Sequence, residues 1–396
     1  MKEEKQDYLK SIDKLGVTFI FILLYIGTLN AIGGNSVGTL SIGAVIVLSV
    51  ILFTLKTIYY KKIYKIHIYI IIIAILYALT SLISVQFSSY GPSITNTLQF
   101  LACLGVFLYF TTLKLDKSII NRAYIITILF VLFHFFLWII KGMPSQFASI
   151  YPNSNLIGAY MFISLFFIFI KIGTSNHKLL HIGIALIALI VLFASDTRSI
   201  ILSLAITVSI IIIWPFLRKN RTISIMFYGL FIVSLFIVIF IYPNLPNWKY
   251  YYIFETWMLE HTGKSIMSGR SDIWLAVNEY ISINPGFGYG PNVVASDLIG
   301  RDASTHNLFL NITLQIGYVG LVLILILLFI IFMNYLKPKN NIIVKVSGAF
   351  FFGILTHQLF EITLIQNQLS IGLFQWIIIA AGISERFDFT LNYDKE

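Results

Sequence analysis

Charge is scarce in this chain: Asp, Glu, Lys and Arg make up only 11% of its 396 residues, against about 25% in a soluble globular domain. That shortage excludes a water-soluble fold, because the polar surface such a fold needs cannot be assembled. Cysteine is nearly absent as well. The single Cys103 excludes a disulfide framework, and its apolar setting reads as packing. No histidine, cysteine or carboxylate cluster has metal-ligand spacing, so neither a metal nor another cofactor is expected. Internal repeats, low-complexity tracts and a soluble domain are missing too. What the chain has in excess is apolar: 58% of its residues are hydrophobic and its mean hydropathy is +0.88. Such a chain uses lipid as its solvent, and lipid requires the backbone to satisfy itself internally.

A span needs about 20 mostly apolar residues. Runs at 15–33, 37–55, 67–86, 94–113, 123–140, 154–171, 179–195, 199–217, 222–242, 308–336, 342–360 and 362–381 qualify. They predict an all-α, polytopic helical membrane protein with about 12 transmembrane helices, forming a single integral membrane domain over 1–396. The opening MKEEKQDYLKSIDK mixes acids and bases, and the first apolar run ends without a small-residue cleavage site, so it reads as a retained span. Loop charge supports this count. With the N-terminus inside, the cytoplasmic set holds 21 of the 27 Lys and Arg and nine of the 17 acids, a net of +12. The outer set keeps Lys141, Arg198, Lys249, Lys264, Arg270 and Arg301 with eight acids, a net of −2. A missed span would flip every later loop and spoil this separation, so both termini are expected in the cytoplasm. The basic pI of about 9.4 then follows from topology and anionic inner-leaflet lipid, with no nucleic-acid partner.

Most loops are short, but residues 243–305 form one long extracytoplasmic loop, and loops beyond about 12–15 residues are usually functional or disordered. This one is rich in aromatics, with Trp248, Tyr250, Tyr251, Tyr252, Phe254, Trp257, Trp274 and Tyr280, which argues for order at a bilayer interface. Within it, 271–283 reads as a helix with Ile273, Trp274, Val277, Tyr280 and Ile281 on one face. That face suits the membrane surface or packing on the bundle. Asn284-Pro285-Gly286 stops the helix. The GFGYGP at 286–291 has alternate glycines like part of a dinucleotide fingerprint, but no βαβ unit surrounds it, and it reads as a tight turn. In the following RDASTHN, Ser304 or Thr305 is suited to cap a helix, which would put His306 in the first turn. The run 308–336 is too long for one straight span across a core of about 30 Å. Gly317 and Gly320 suggest a break, with a short first helix and the span proper beginning near Gly320.

Three outer groups stand out. Arg198, in ASDTRS, reads by itself as an interfacial arginine paired with Asp196. Arg270, in SGRSDIW, reads by itself as a solvated charge bridged to Asp272, and His306 as a plain helix-start residue. Together they mean more, because the outer face has only six Lys and Arg. Arginine forks match the oxygens of a diphosphate, and histidine is the usual general base near neutral pH. His134 and His357 lie within spans, His67, His177 and His181 at the cytoplasmic edge, and His261 is a reserve in the loop.

The order T-R-S after a span, then S-G-R-x-D-x-W, N-P-G-F-G-Y-G, and S-T-H-N leading into L-Q-I-G-Y-V-G-L, resembles the O-antigen ligase and Wzy-type polymerase superfamily over about 190–330. The resemblance implies a GT-C-like membrane glycosyltransferase in the bacterial cytoplasmic membrane. It would act on the outer face with inversion, on a glycan carried by undecaprenyl diphosphate. Arg198 and Arg270 would hold the diphosphate and His306 would activate the acceptor hydroxyl. Arg301, Lys264, Asp272, Trp274 and Asn307 would complete the substrate-binding set. No metal or nucleotide sugar would be needed. Implied partners are the lipid-linked oligosaccharide, membrane lipid, and a flippase and chain-length regulator of the same polysaccharide pathway.

Within the superfamily, polymerisation of repeat units is the preferred expectation, with ligation to lipid A core or another acceptor as its alternative. A rival of another class is a polysaccharide flippase. Transporters place polar sites near the bilayer midplane, often in paired broken helices. Here span centres carry almost no charge and the polar chemistry collects in the outer loop.

Overall fold

The computed structural model describes residues 2–33, 35–88, 92–267, 269–300, 302–337 and 340–387, with side chains from residue 11 onward. Arg301, expected at the substrate, lies outside the described residues. Among them the chain is helical throughout, with no strand: α1 (Lys2–Gly27), α2 (Ser36–Tyr60), α3 (Lys65–Val85), α4 (Thr95–Thr111), α5 (Lys117–Ile140), α6 (Ser154–Thr174), α7 (Lys178–Ala194), α8 (Arg198–Leu217), α9 (Arg221–Phe236), α10 (Tyr251–Thr262), α11 (Arg270–Ile283), α12 (Ala295–Ile299), α13 (Leu308–Tyr335), α14 (Ile342–Gln358) and α15 (Leu369–Ser384).

Among the described residues eight helices are long and apolar enough to cross a membrane. Another four, α4, α7, α14 and α15, are apolar but have only 16 or 17 residues. Each of the twelve apolar runs overlaps one of these helices, with differing bounds. The helices divide into two environments. Every residue of α15 from Ser370 to Ser384 is buried, and α6 is buried for most of its length. The outer helices instead turn large apolar side chains outward, among them Leu40, Ile58, Leu129, Ile140, Ile212 and Leu230. An apolar centre inside an apolar exterior is the pattern of a bundle solvated by lipid.

Two departures from regular helix shape the end of the bundle that carries 243–305. The first is in α13, where Gly317 adopts φ 72°, ψ −173° and breaks the helix, as the length of the run predicts. The break frees carbonyls and N–H groups that a buried segment must satisfy. The turn at 286–290 supplies the partners. Tyr289 and Gly290 N–H donate to the Leu314 and Gln315 carbonyls at 2.9 Å, and Tyr318 N–H donates to Pro285 O at 2.8 Å. The glycine-rich motif is therefore a tight turn docked on a broken helix. A Cβ on Gly317 would sit 2.1 Å from Gly286 O. Gly317→Ala should cost about 1–3 kcal/mol from backbone strain alone, and more by displacing this turn. A several-degree fall in the melting temperature of the detergent-solubilised protein checks this; unchanged melting would contradict the docking account.

The second departure corrects the reading of the last run. Helix α15 begins at Leu369, not at 362, and residues 359–368 are irregular yet mostly buried. Glutamines make this tolerable by standing in for helical partners. Gln358 Oε1 accepts from Leu364 N–H at 2.9 Å, and Trp376 Nε1 donates to Leu364 O at 2.9 Å. Gln366 joins a buried chain of amides, accepting from Asn311 and donating to Gln315, each at 2.8 Å. This segment brings Glu361 to the same end of the bundle as α11 and the start of α13.

Helix α11 packs on the bundle through Trp274, Val277 and Ile281, three of the five residues assigned to its apolar face. Packing is thus the outcome for this helix.

Candidate active site

A cavity of about 490 Å³ opens at this end of the bundle, lined by residues from five separate stretches of chain, including Asn155, Arg198, Tyr242, Lys264, Arg270 and Glu361. Arg198 is the first residue of α8, set there by a tight turn in which Asp196 takes a left-handed backbone (φ 56°). Its Nη1 donates to Ser265 O at 2.8 Å. Asp196 does not pair with Arg198. It binds Lys264, whose Nζ lies 2.5 Å from Oδ2 and donates to the Asp196 carbonyl at 3.1 Å. The loop 264–266 is thereby strapped over the α7–α8 turn.

Arg270 opens α11, following Gly269 in the left-handed region. Its sequence neighbour Asp272 is not its partner either: Asp272 is exposed and accepts from Ser271. The guanidinium instead lies 5.8 Å from the Phe360 ring centroid, with Nη2 3.8 Å from Glu361 Oε1. At that distance the contact is an ion pair without a hydrogen bond. Tyr242 follows a π-helical turn at Ile237–Ile241, a form often found at functional sites, and its hydroxyl donates to Ile266 O at 2.7 Å.

His306 is not in a helix. Asn307 is the N-cap of α13, its Oδ1 accepting from Leu310 N–H at 2.9 Å, so His306 stands one residue before the cap at φ 44°. This corrects the expectation of a Ser304 or Thr305 cap. Thr305 Oγ1 is turned to Asn311 Oδ1 instead, at 3.2 Å. A left-handed histidine is uncommon, and such strain persists where the surroundings hold it in place. The His306 ring is partly exposed, and Nδ1 lies 3.2 Å from Glu361 Oε2.

Glu361 joins these groups. Only 8% exposed, it contacts His306 through one oxygen and Arg270 through the other, and Asn155 Nδ2 donates to it at 3.4 Å. Burial raises its pKa, but the hydrogen bond with His306 and the charges of nearby histidines and Arg270 outweigh burial and hold it below 4.5. Such a carboxylate stabilises the folded state above its unfolded pKa, and that contribution is lost as pH falls through the folded pKa. Wild type should therefore lose more stability than Glu361→Gln on acidification below about pH 4.5, as read by melting curves; parallel losses would contradict it. Burial lowers the pKa of Arg270, with Arg198 acting in the same direction and Glu361 opposing it.

Of the residues expected from sequence, Arg198, Arg270 and Lys264 line one cavity, and His306 reaches it through Glu361. Trp274 and Asn307 sit elsewhere, both fully buried. The Trp274 indole donates to Thr305 O at 2.6 Å and Asn307 Nδ2 to Leu359 O at 3.0 Å. They hold up the 304–307 and 359–361 segments, because their polar atoms are spent on backbone. Glu361 was missed by sequence reasoning. It stands between two apolar runs with no visible loop, and the one signal was the polar trio Gln366, Asn367 and Gln368 inside an assigned span. Among the described residues no group of three or more His, Cys, Asp or Glu side chains is placed so that it could hold a metal ion.

Fold and site together define a helical membrane protein with a cationic cavity, built around Arg198, Arg270 and Lys264, at one end of the bundle. Residues 183–325, about a third of the chain, match the family model described as O-Antigen ligase, and the motifs quoted above all lie within that stretch. The match includes Arg198, Lys264, Arg270 and His306 and ends before Glu361. No curated protein matches the chain.

Proposed function

We propose that this protein polymerises undecaprenyl-diphosphate-linked oligosaccharide repeats into a surface polysaccharide, by inverting glycosyl transfer on the outer face of the bacterial cytoplasmic membrane. The convergence of Arg198, Arg270 and the His306–Glu361 pair on one cavity carries this reading. In it the chain crosses the membrane twelve times, both termini are cytoplasmic, and the cavity faces outward.

Arg198 and Arg270 hold the diphosphate of the donor. Their forks offer charge-assisted hydrogen bonds where negative charge grows as the glycosidic C1–O bond breaks. The bond electrons leave with the polyprenyl diphosphate, so no metal is needed. Glu361 accepts from His306 Nδ1–H and fixes the tautomer that leaves a lone pair on Nε2. His306 Nε2 takes the proton of the acceptor hydroxyl as its oxygen attacks C1 from the face opposite the diphosphate, which inverts the anomeric centre. Glu361 thus positions the base and also steadies Arg270. Lys264 keeps the 264–266 strap in place, and Asp272 and the exposed loop aromatics bind sugar. Upstream, a flippase supplies the lipid-linked repeat, and a chain-length regulator acts on the product.

The test is a glycan ladder. Purified protein receives one undecaprenyl-diphosphate-linked repeat and no other acceptor. A ladder of lengthening products supports the polymerase. Transfer only after lipid A core is added makes the protein a ligase. Silence in both settings, with folded protein and the cognate repeat, contradicts the enzyme reading and favours a flippase.

A further inference from the structure

The opposite end of the bundle holds a second cavity, of about 630 Å³. It lies where α5 and α14 begin and α6 ends. Helices α6 and α14 therefore present one end to each cavity, and a 21-residue α6 separates them by about 30 Å. Lys117, Lys171 and His177 line this second space with Asn121, Ser175 and Asn341, and no carboxylate is among its lining residues.

Among the described residues neither neighbouring acid pairs with a lining cation. Asp116 caps α5 by accepting from Ile119 N–H at 2.8 Å and lies 3.9 Å from Lys14. Glu385 accepts from Asn341 Nδ2 at 2.5 Å. Lys171 donates to Asn121 Oδ1 at 2.7 Å and stands 5.5 Å from the Tyr124 ring centroid, and among the described residues no carboxylate pairs with it. An ammonium has three donors, so most of its capacity is directed at something other than a protein acid. Cations, hydroxyls and amides around a roomy space select an anion with several oxygens. The positive end of α14 at the rim, capped by the neutral Asn341, adds to that preference.

We propose that this cavity binds a phosphate-bearing anion, carried on an anionic phospholipid headgroup or free in solution. It stands at the end of the bundle whose loops hold most of the lysines, where basic pockets between helices meet lipid headgroups. The site is separate from the glycosyl-transfer cavity and does not depend on the reading of that cavity.

The test uses the full-length protein in detergent. Retention of phosphatidylglycerol and of phosphatidylcholine is compared by native mass spectrometry, and inorganic diphosphate is titrated by calorimetry. Wild type should prefer phosphatidylglycerol, or bind diphosphate, and the Lys117→Gln/Lys171→Gln variant should lose on the order of tenfold or more of that affinity. Lys171→Arg, which keeps the charge, should retain it, and Lys117→Gln alone, at an exposed position, serves as a variant that folds normally. Phosphatidylglycerol preference identifies a lipid source, and diphosphate binding alone identifies a soluble one. Lack of preference for either phosphate probe in wild type, or equal binding in the doubly substituted protein, would overturn the proposal.

Discussion

His306→Asn is expected to lower kcat for glycosyl transfer by about 10²–10⁴-fold, the usual contribution of a general base, with little change in KM or melting temperature. Asparagine is the informative replacement because of the backbone. His306 sits at φ 44°, a region asparagine tolerates and most side chains do not. His306→Ala would mix lost chemistry with added strain. Because the ring is partly exposed, its removal leaves no buried void, so a fall in activity reports on chemistry and not on packing. A loss of less than about tenfold would deny His306 the role of base and reduce it to a ligand of Glu361.

Arg270→Ala should have the second largest effect, through two separable terms. Activity should fall by about 10²–10³-fold, the scale seen when one preorganised donor to a developing negative charge is removed. Stability should fall too, because Glu361 is left buried without its cation. Breaking a well-formed buried pair costs about 3–5 kcal/mol. Here the 3.8 Å separation and the 20% exposure of Arg270, together with the surviving His306 contact, argue for about 1–2 kcal/mol. Arg270→Ala/Glu361→Gln separates the terms: neutralising the stranded carboxylate should recover most of the stability and none of the activity. Recovery of activity in the doubly substituted protein would mean that Arg270 serves only to balance Glu361.

Much of this arrangement is legible in the sequence because lipid enforces it. Twelve apolar runs mark twelve helices, since a chain in hydrocarbon must satisfy its backbone locally. A break in the run 308–336 follows from its length, and of the two glycines that suggest its place, Gly317 and Gly320, the break falls at Gly317. Arg198, Lys264, Arg270 and His306 are legible because cations are scarce on that side of the chain. Their pairings are not. Local reading links Arg198 to Asp196 and Arg270 to Asp272, whereas the fold gives Asp196 to Lys264 and Arg270 to Glu361. Arg270 and Asp272 lie two apart on α11 and so do not face each other, and the left-handed turn at Asp196 hands its carboxylate to Lys264. The cap of α13 shows the same limit. RDASTHN offers several capping side chains, and only the tie from Asn307 to Leu359 O selects one. Glu361 was hidden because an irregular segment satisfied by buried glutamines looks apolar enough in sequence to pass for the start of a helix.

On the proposed reading, glycosyl transfer takes place at the cavity where Arg198, Arg270 and His306–Glu361 meet. Counting free undecaprenyl diphosphate released per glycosidic bond formed tests it most directly, with purified protein, the cognate lipid-linked repeat and EDTA present. The expected result is one diphosphate lipid per bond, an inverted anomeric linkage, and loss of both signals together in His306→Asn and Arg270→Ala. Undiminished release and bond formation in those two variants would place the chemistry elsewhere and contradict the account.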